Sequence, residues 1–158
     1  MIRFCCYREA ATSWSDYALA TNPNAICHTF TWSCLAKRFH QMGFEVSGND
    51  NFYGSDTSNV PVFAKFYHTD CCDLDGMRLA LDGVDLLYHC AATAHEGLSV
   101  FSPTFITKNN YEASVSTFTA AINQGVKRIV FCSSMARYGD QNPPFIESMR
   151  PQPVDPYG

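Results

Sequence analysis

The sequence predicts an α/β fold built on a parallel sheet. Three observations carry that reading. Apolar runs of strand length alternate along the chain with segments of helical spacing. The strongest run, Val84 to Cys90, is almost continuously apolar, as a strand buried on both faces is. The stretches between strands are long enough for crossover helices rather than hairpins. With 46% hydrophobic residues among 158, the chain has material for a real core, which excludes wholesale disorder.

Residues 1–25 show no clear period; Trp14, Tyr17 and charged residues mix without alternation. From Ser33 the pattern changes. Leu35, Ala36, Phe39 and Met42 fall at helical spacing, and Gly43 stands where a helix end favours a left-handed residue. Phe44 to Gly48 reads as a short strand running into Asn49, Asp50 and Asn51. A polar loop, Tyr53 to Asn59, leads to a second strand-like run, Val62 to Tyr67. Asp70 to Gly76 reads as a turn into a short helix, Met77 to Leu81, before the apolar run at Val84. A loop holding Gly97 and Pro103 precedes a longer helix, about Thr107 to Gln124. In it Tyr111, Val115, Phe118 and Ile122 share one apolar face, and Gly125 ends it. Ile129 to Cys132 is a further strand, ending in Ser133 and Ser134. From Asp140 the chain reads as loop, with Pro143, Pro144, Pro151, Pro153 and Pro156 in it.

Composition narrows the partners. Charged residues are 16%, below the roughly 25% usual for soluble domains, so part of the surface is expected to be covered in the complete protein. A net charge of −4 without any Lys/Arg run argues against nucleic acid. No stretch approaches the roughly 20 apolar residues of a membrane span, and the N-terminus lacks the apolar core of a secretory leader. A cytoplasmic protein is expected. The cysteines Cys5, Cys6, Cys27, Cys34, Cys71, Cys72, Cys90 and Cys132 form no CxxC pair. They read as reduced thiols, several packed as small hydrophobes, with no metal site.

Ligands of open parallel sheets bind at the carboxyl ends of strands, which singles out Asp50, Asp70, Ala91-Ala92 and Ser133-Ser134. A carboxylate at Asp50 can accept from ribose hydroxyls and repel a 2′-phosphate, or it can cap a turn. Asp70 can pair with an adenine amino group or cap the following helix. The small residues ending His89-Cys90-Ala91-Ala92 admit a flat cofactor or a close helix. His95 reads as a loop histidine. Tyr157 follows Ser134 by 23 residues. A Ser and a Tyr hydroxyl on one substrate oxygen are the parts of carbonyl/alcohol redox chemistry, in which Ser orients the oxygen and Tyr exchanges its proton.

Taken in order, these stretches resemble the extended short-chain dehydrogenase/reductase family, in particular NAD-dependent epimerase/dehydratases of the UDP-glucose 4-epimerase type. The likeness rests on Gly83 to Ala92, on His95 to Val100 and on Asn110, which opens a stretch similar to N-V-x-G-T. It continues through Gly125 to Ser134, Tyr138-Gly139 and Pro156-Tyr157-Gly158, the last like the start of P-Y-G-x-S-K. The resemblance implies an incomplete Rossmann-like doubly wound sheet, with residues 33–158 as a partial NAD-binding domain and 1–32 as an unrelated or altered N-terminal segment. It implies that Asp50 and Asn51 hold the adenosine ribose, that Asp70 and Cys71 flank adenine and that Ala91 and Ala92 line the cofactor channel. Asn110 would steady the active-site helix, Ser134 would bind the reacting hydroxyl and Tyr157 would be the general base and acid. The implied reaction abstracts hydride from a nucleotide sugar and returns it through a keto-sugar intermediate, and the family allows a homodimer.

Two departures accompany the likeness. The family's G-x-x-G-x-x-G loop corresponds to Ile26 to Ser33, which holds no glycine, and side chains as large as Phe30 and Trp32 are expected in the space of the diphosphate cradle. The chain also stops at Gly158, before the family's Lys four residues beyond the Tyr. An inactive fragment is therefore the expectation for these residues alone. A non-catalytic Rossmann-like protein and a steroid- or flavonoid-type reductase are the alternatives.

Overall fold

The computed structural model describes residues 2–9, 29–53 and 56–158. Its strands are β1 (Ile2–Glu9), β2 (Val46–Asp50), β3 (Lys65–His68), β4 (Leu86–Ala94) and β5 (Arg128–Phe131). Helices α1 (Thr29–Gln41), α2 (Leu74–Leu81), α3 (Glu96–Phe101), α4 (Pro103–Ile106) and α5 (Ala113–Asn123) connect them. Among the described residues the sheet runs β3-β2-β1-β4-β5, with every adjacent pair parallel. This is the order of a doubly wound, Rossmann-like sheet without its sixth strand. The chain reverses direction across the sheet between β1 and β4, and there the carboxyl ends open a crevice.

β1 is the middle strand, although residues 1–25 show no strand period and the sequence sets 1–32 apart. It pairs with β2 from Ile2 to Cys5 and with β4 from Ile2 to Tyr7, resuming at Glu9. A strand flanked on both sides needs no apolar–polar alternation, so periodicity misses it. The other strands differ from expectation at their bounds. Val62, counted as strand, is fully exposed in a turn that Ala64 closes by donating to the Pro61 carbonyl at 3.0 Å. β2 reaches Asp50, and β4 runs on to Ala94 because β1 keeps pairing with it. Helix α2 begins at Leu74, earlier than its apolar pattern, because the Asp73 carboxylate accepts from the Gly76 amide at 3.1 Å. The expected loop around Gly97 and Pro103 is helical. Pro103 sits in the first turn of α4, where its missing N–H costs nothing, and a π-helical stretch, Thr107–Glu112, leads straight into α5.

The core lies on both faces of the sheet, divided by the alternation of β4. Leu87 and Ala91 join Met77 and Leu81 of α2 and Ala113, Ala120 and Ala121 of α5. Leu86, Tyr88 and Cys90 face the other way, onto Trp32 and Ala36 of α1 and Val46 of β2. The stripe Tyr111, Val115 and Ile122 is not the buried face of its helix: these residues are 70%, 46% and 74% exposed. Ala113, Thr117, Ala120 and Ala121 are buried instead, since small side chains bring α5 close to the sheet and α2. Only Phe118 of the expected face packs inward, edge-on to His89 with ring centres 5.1 Å apart. No helix among the described residues is long and apolar enough to cross a membrane.

Candidate functional site

The carboxyl ends of β2 and β3 bring Asp50, Asn51 and Asp70 together. Asp50 ends a strand buried along its whole length, and its Oδ1 accepts from the Phe52 amide at 2.7 Å. That bond helps hold Phe52 in the left-handed region, φ 56, where its ring stacks on Phe66. Asn51 Nδ2 donates to Asp70 Oδ2 at 2.7 Å, and Asp70 Oδ1 accepts from the Cys72 amide at 2.8 Å. Burial pushes the Cys72 thiol up to about 12, and the neighbouring Asp70 carboxylate adds to the rise. Cys71 lies elsewhere: its side chain is buried in the α2–α5 core, where Asn49 Nδ2 donates to its sulfur at 3.6 Å. Any contact it offers an adenine ring must come from its backbone.

At the ends of β4 and β5, Ala91, Ala92, Asn110, Ser134 and Tyr157 line a single cavity of about 120 Å³. Each arrives by a separate route. Ala91 and Ala92 lie in the last part of β4. Asn110 comes from the π-helical stretch, and both ends of its side chain bind the β4 backbone: Oδ1 accepts from the Thr93 amide at 2.6 Å and Nδ2 donates to the Thr93 carbonyl at 3.2 Å. It therefore acts on the cavity by fixing its wall. Ser134 caps the short helical turn Met135–Tyr138, its Oγ accepting from the Ala136 amide at 3.2 Å.

Tyr157 reaches the cavity because the proline-rich segment folds back on that turn. Gln152 donates its amide to the Arg137 carbonyl at 2.8 Å, and Gln141 Nε2 bridges the carbonyls of Tyr138 and Arg150. Gly139, at φ 59, is required there: a Cβ would strike the Gln152 carbonyl. Asp155 Oδ1 then accepts from the amides of Tyr157 and Gly158 at 2.8 and 2.9 Å, fixing the turn that carries the phenol.

Sequence reasoning did not single out every residue here. Ser114 and Arg137 also line the cavity. Ser114 Oγ donates to the Asn110 carbonyl at 2.5 Å and so accepts from His89 Nε2 at 2.9 Å, which assigns the neutral Nε2–H form to His89. Burial depresses the His89 pKa to about 4. The His89 ring, fully buried, stacks on Phe131 with centres 5.7 Å apart. The helical step from Asn110 to Ser114 was the signal that could have found this chain of bonds. A larger hollow of about 510 Å³, lined by His40, Phe44, Phe63 and Lys65, lies at the amino ends of β2 and β3, away from where such sheets bind ligands. Among the described residues no three His, Cys, Asp or Glu side chains converge as a metal site needs.

A nicotinamide dinucleotide needs an acceptor for its ribose, small walls along its path and a cradle for its diphosphate. The buried Asp50 carboxylate meets the first need, and Ala91 with Ala92 the second. Of the expected cradle, Ile26 to His28 lie outside the described residues, as does the side chain of Phe30. Trp32 does not stand in the cradle's space as expected. Its ring is buried in the core, edge-on to Phe66, because Gly48 leaves room for it. The described residues thus meet the first two of these needs, the ribose acceptor and the small walls.

Comparison with known proteins agrees. Residues 30–158 match the family described as NAD dependent epimerase/dehydratase. Over 136 residues the chain is 34% identical to the UDP-glucose 4-epimerase of Streptomyces lividans, covering 82% of this chain and 40% of that protein. Over 83 residues it is 34% identical to the 3 beta-hydroxysteroid dehydrogenase/Delta 5-->4-isomerase of vaccinia virus (strain Copenhagen), covering 52% of this chain and 23% of that one. The crystal structure of the Thermus thermophilus UDP-glucose 4-epimerase in complex with NAD shares the fold, with a TM-score of 0.79 at 24% identity, over 99% of this chain and 46% of that one. The chain spans about 40% of the length of the epimerases it matches. With a match over residues 30–158, a doubly wound sheet and small residues at the β4 end, the chain belongs to the NAD dependent epimerase/dehydratase family.

Proposed function

We propose that this chain is the dinucleotide-binding portion of an enzyme that epimerises or dehydrates a nucleotide sugar. The observation that carries the proposal is the convergence of Ala91, Ala92, Asn110, Ser134 and Tyr157 on one cavity. Bound there, NAD would supply reversible hydride transfer with a sugar carbon. Tyr157 takes the proton of the hydroxyl on that carbon, and Ser134 donates a hydrogen bond that orients the oxygen. Asp50 and Asn51 hold the adenosine ribose, Asp70 flanks the adenine, and Asp50 disfavours a 2′-phosphate. Asn110 keeps the β4 wall in place. The likeness to the epimerase covers 82% of the chain against 52% for the hydroxysteroid dehydrogenase, which favours a nucleotide sugar over a steroid.

The 158 residues alone bind NAD weakly in this reading, because no glycine stands between Ile26 and Ser33 to let backbone amides reach the diphosphate. Titration calorimetry tests this; micromolar binding would refute it. The catalytic assignment is tested by grafting residues 33–158 into the matching stretch of the Streptomyces lividans enzyme, which supplies the rest. There Tyr157→Phe removes one hydroxyl and keeps the ring. It should lower turnover about 10²–10⁴-fold while NAD affinity holds. A Phe variant that keeps most of its turnover would overturn the role of Tyr157. Asp50→Ala should relax the preference for NAD over NADP, and an unchanged preference would remove Asp50 from the site.

A further inference from the structure

Cys90, on β4, and Cys132, the residue just past β5, stand side by side with their sulfurs 3.3 Å apart. The register explains the contact. Partners on the two strands keep a constant offset from Leu86/Arg128 to His89/Phe131, and the Cys132 amide donates to the His89 carbonyl at 3.0 Å. Cys90 and Cys132 keep the same offset one residue beyond the last paired rung. Neighbouring strands lie about 4.7–4.9 Å apart, inside the roughly 4.4–6.8 Å that a disulfide spans between Cα atoms. Closing the sulfurs from 3.3 Å to a bond of about 2.05 Å takes side-chain rotation without a change of register. Access is unequal. Cys90 packs at the margin of the Trp32 core, whereas Cys132 is exposed and lines the cavity beside Ser134 and Tyr157.

We propose that Cys90 and Cys132 are a redox pair, a dithiol that a small disulfide such as oxidised glutathione converts to an intramolecular disulfide at the edge of the β4–β5 cavity. The Cys132 thiolate attacks one sulfur of the oxidant and releases one glutathione thiol. The Cys90 thiolate then attacks the Cys132 sulfur of the mixed disulfide and releases the second. The protein gives up two electrons and two protons; one oxidised glutathione becomes two reduced ones. A directly cross-strand, partly exposed bridge belongs to the class of disulfides that form and break readily. It ties β4 just before Ala91-Ala92 to β5 just before Ser133-Ser134. Only this last consequence, for the cavity, rests on the proposed function.

The test is chemical. The 158-residue protein is equilibrated in graded mixtures of reduced and oxidised glutathione, quenched by alkylation, digested without reduction and read by mass spectrometry. The expected product is a peptide pair linked through Cys90 and Cys132, reversed by dithiothreitol, with two alkylatable thiols lost. In Cys90→Ser the linked pair is lost and Cys132 stops at the glutathione adduct. In Cys132→Ser, at an exposed position that the fold tolerates, Cys90 stays largely alkylatable. Wild-type protein whose Cys132 stops at the glutathione adduct, or whose linkage joins other cysteines, would overturn the proposal. None of these readouts uses NAD or turnover, so failure of the functional reading leaves this one standing, and the reverse.

Discussion

The indole of Trp32 occupies the place where a side chain at position 48 would stand: a Cβ built on Gly48 overlaps the ring. The residues form a complementary pair, large on α1 and absent on β2. Gly48→Ala should destabilise the protein by about 1–3 kcal/mol through overpacking. Trp32→Ala should cost about 3–5 kcal/mol by leaving a cavity. Combining them should cost less than the sum, because the added methyl enters space the indole has left. Urea melts of the four proteins check this; simple additivity would show that the two residues do not share that space.

Asn110 spends its side chain on the Thr93 backbone. Asn110→Ala leaves a part-buried amide and carbonyl without that partner, at about 1–3 kcal/mol. Asn110→Asp keeps the acceptor for the amide but sets a carboxylate oxygen against the carbonyl, so it should not rescue. Hydrogen exchange at the Thr93 amide should quicken about tenfold or more in Asn110→Ala. Unchanged protection at Thr93 would remove Asn110 from its positioning role.

His89 sets a pH dependence. Its pKa, ordinarily 6.5, is depressed by burial to about 4, so between those values the unfolded chain binds the proton and the folded chain does not. Stability is therefore full above about pH 6.5 and falls on acidification toward pH 4. The loss at the bottom of that window is roughly 3 kcal/mol. The Asp85 carboxyl, held at about 2 by its hydrogen bond to Lys127, titrates below the window. Chemical denaturation at pH 7, 5.5 and 4.5 should show the decline, and His89→Gln should flatten it. An equal slope in the variant would place the titrating group elsewhere.

The exposed stripe Tyr111, Val115 and Ile122 should make the isolated chain associate. Size-exclusion chromatography should show species larger than the 17.6 kDa monomer. Val115→Lys with Ile122→Lys should shift the protein toward that monomer. A sharp monomer peak for the unaltered chain would contradict the expectation.

The strand ends were legible because their chemistry is local. Asp50, Ala91-Ala92 and Ser133-Ser134 each close an apolar run, and the parallel sheet says that such positions face a ligand. β1 was not legible, because a strand paired on both sides needs no period. The inward face of α5 was not either. Periodicity weighs large apolar residues, and Ala113, Ala120 and Ala121 were chosen for being small. Cys71 shows the same limit from the other side, since only the packing of α2 and α5 decides that its sulfur turns into the core.

The sequence by itself determined the fold class, the order of elements from α1 to β5 except the short helices α3 and α4, and the residue types at the strand ends, because hydrophobic period and turn chemistry act over a few residues. Only the tertiary structure decided which of those residues meet. Tyr157 joins Ser134 because Gln141, Gln152 and Gly139 fold the proline-rich segment back over 23 residues. Cys90 meets Cys132, 42 residues away, because β4 and β5 pair in one register. Trp32 turns into the core because Gly48, on the next strand, has no side chain to stop it. Each of these depends on two segments being brought together by the sheet, and no window of sequence contains both.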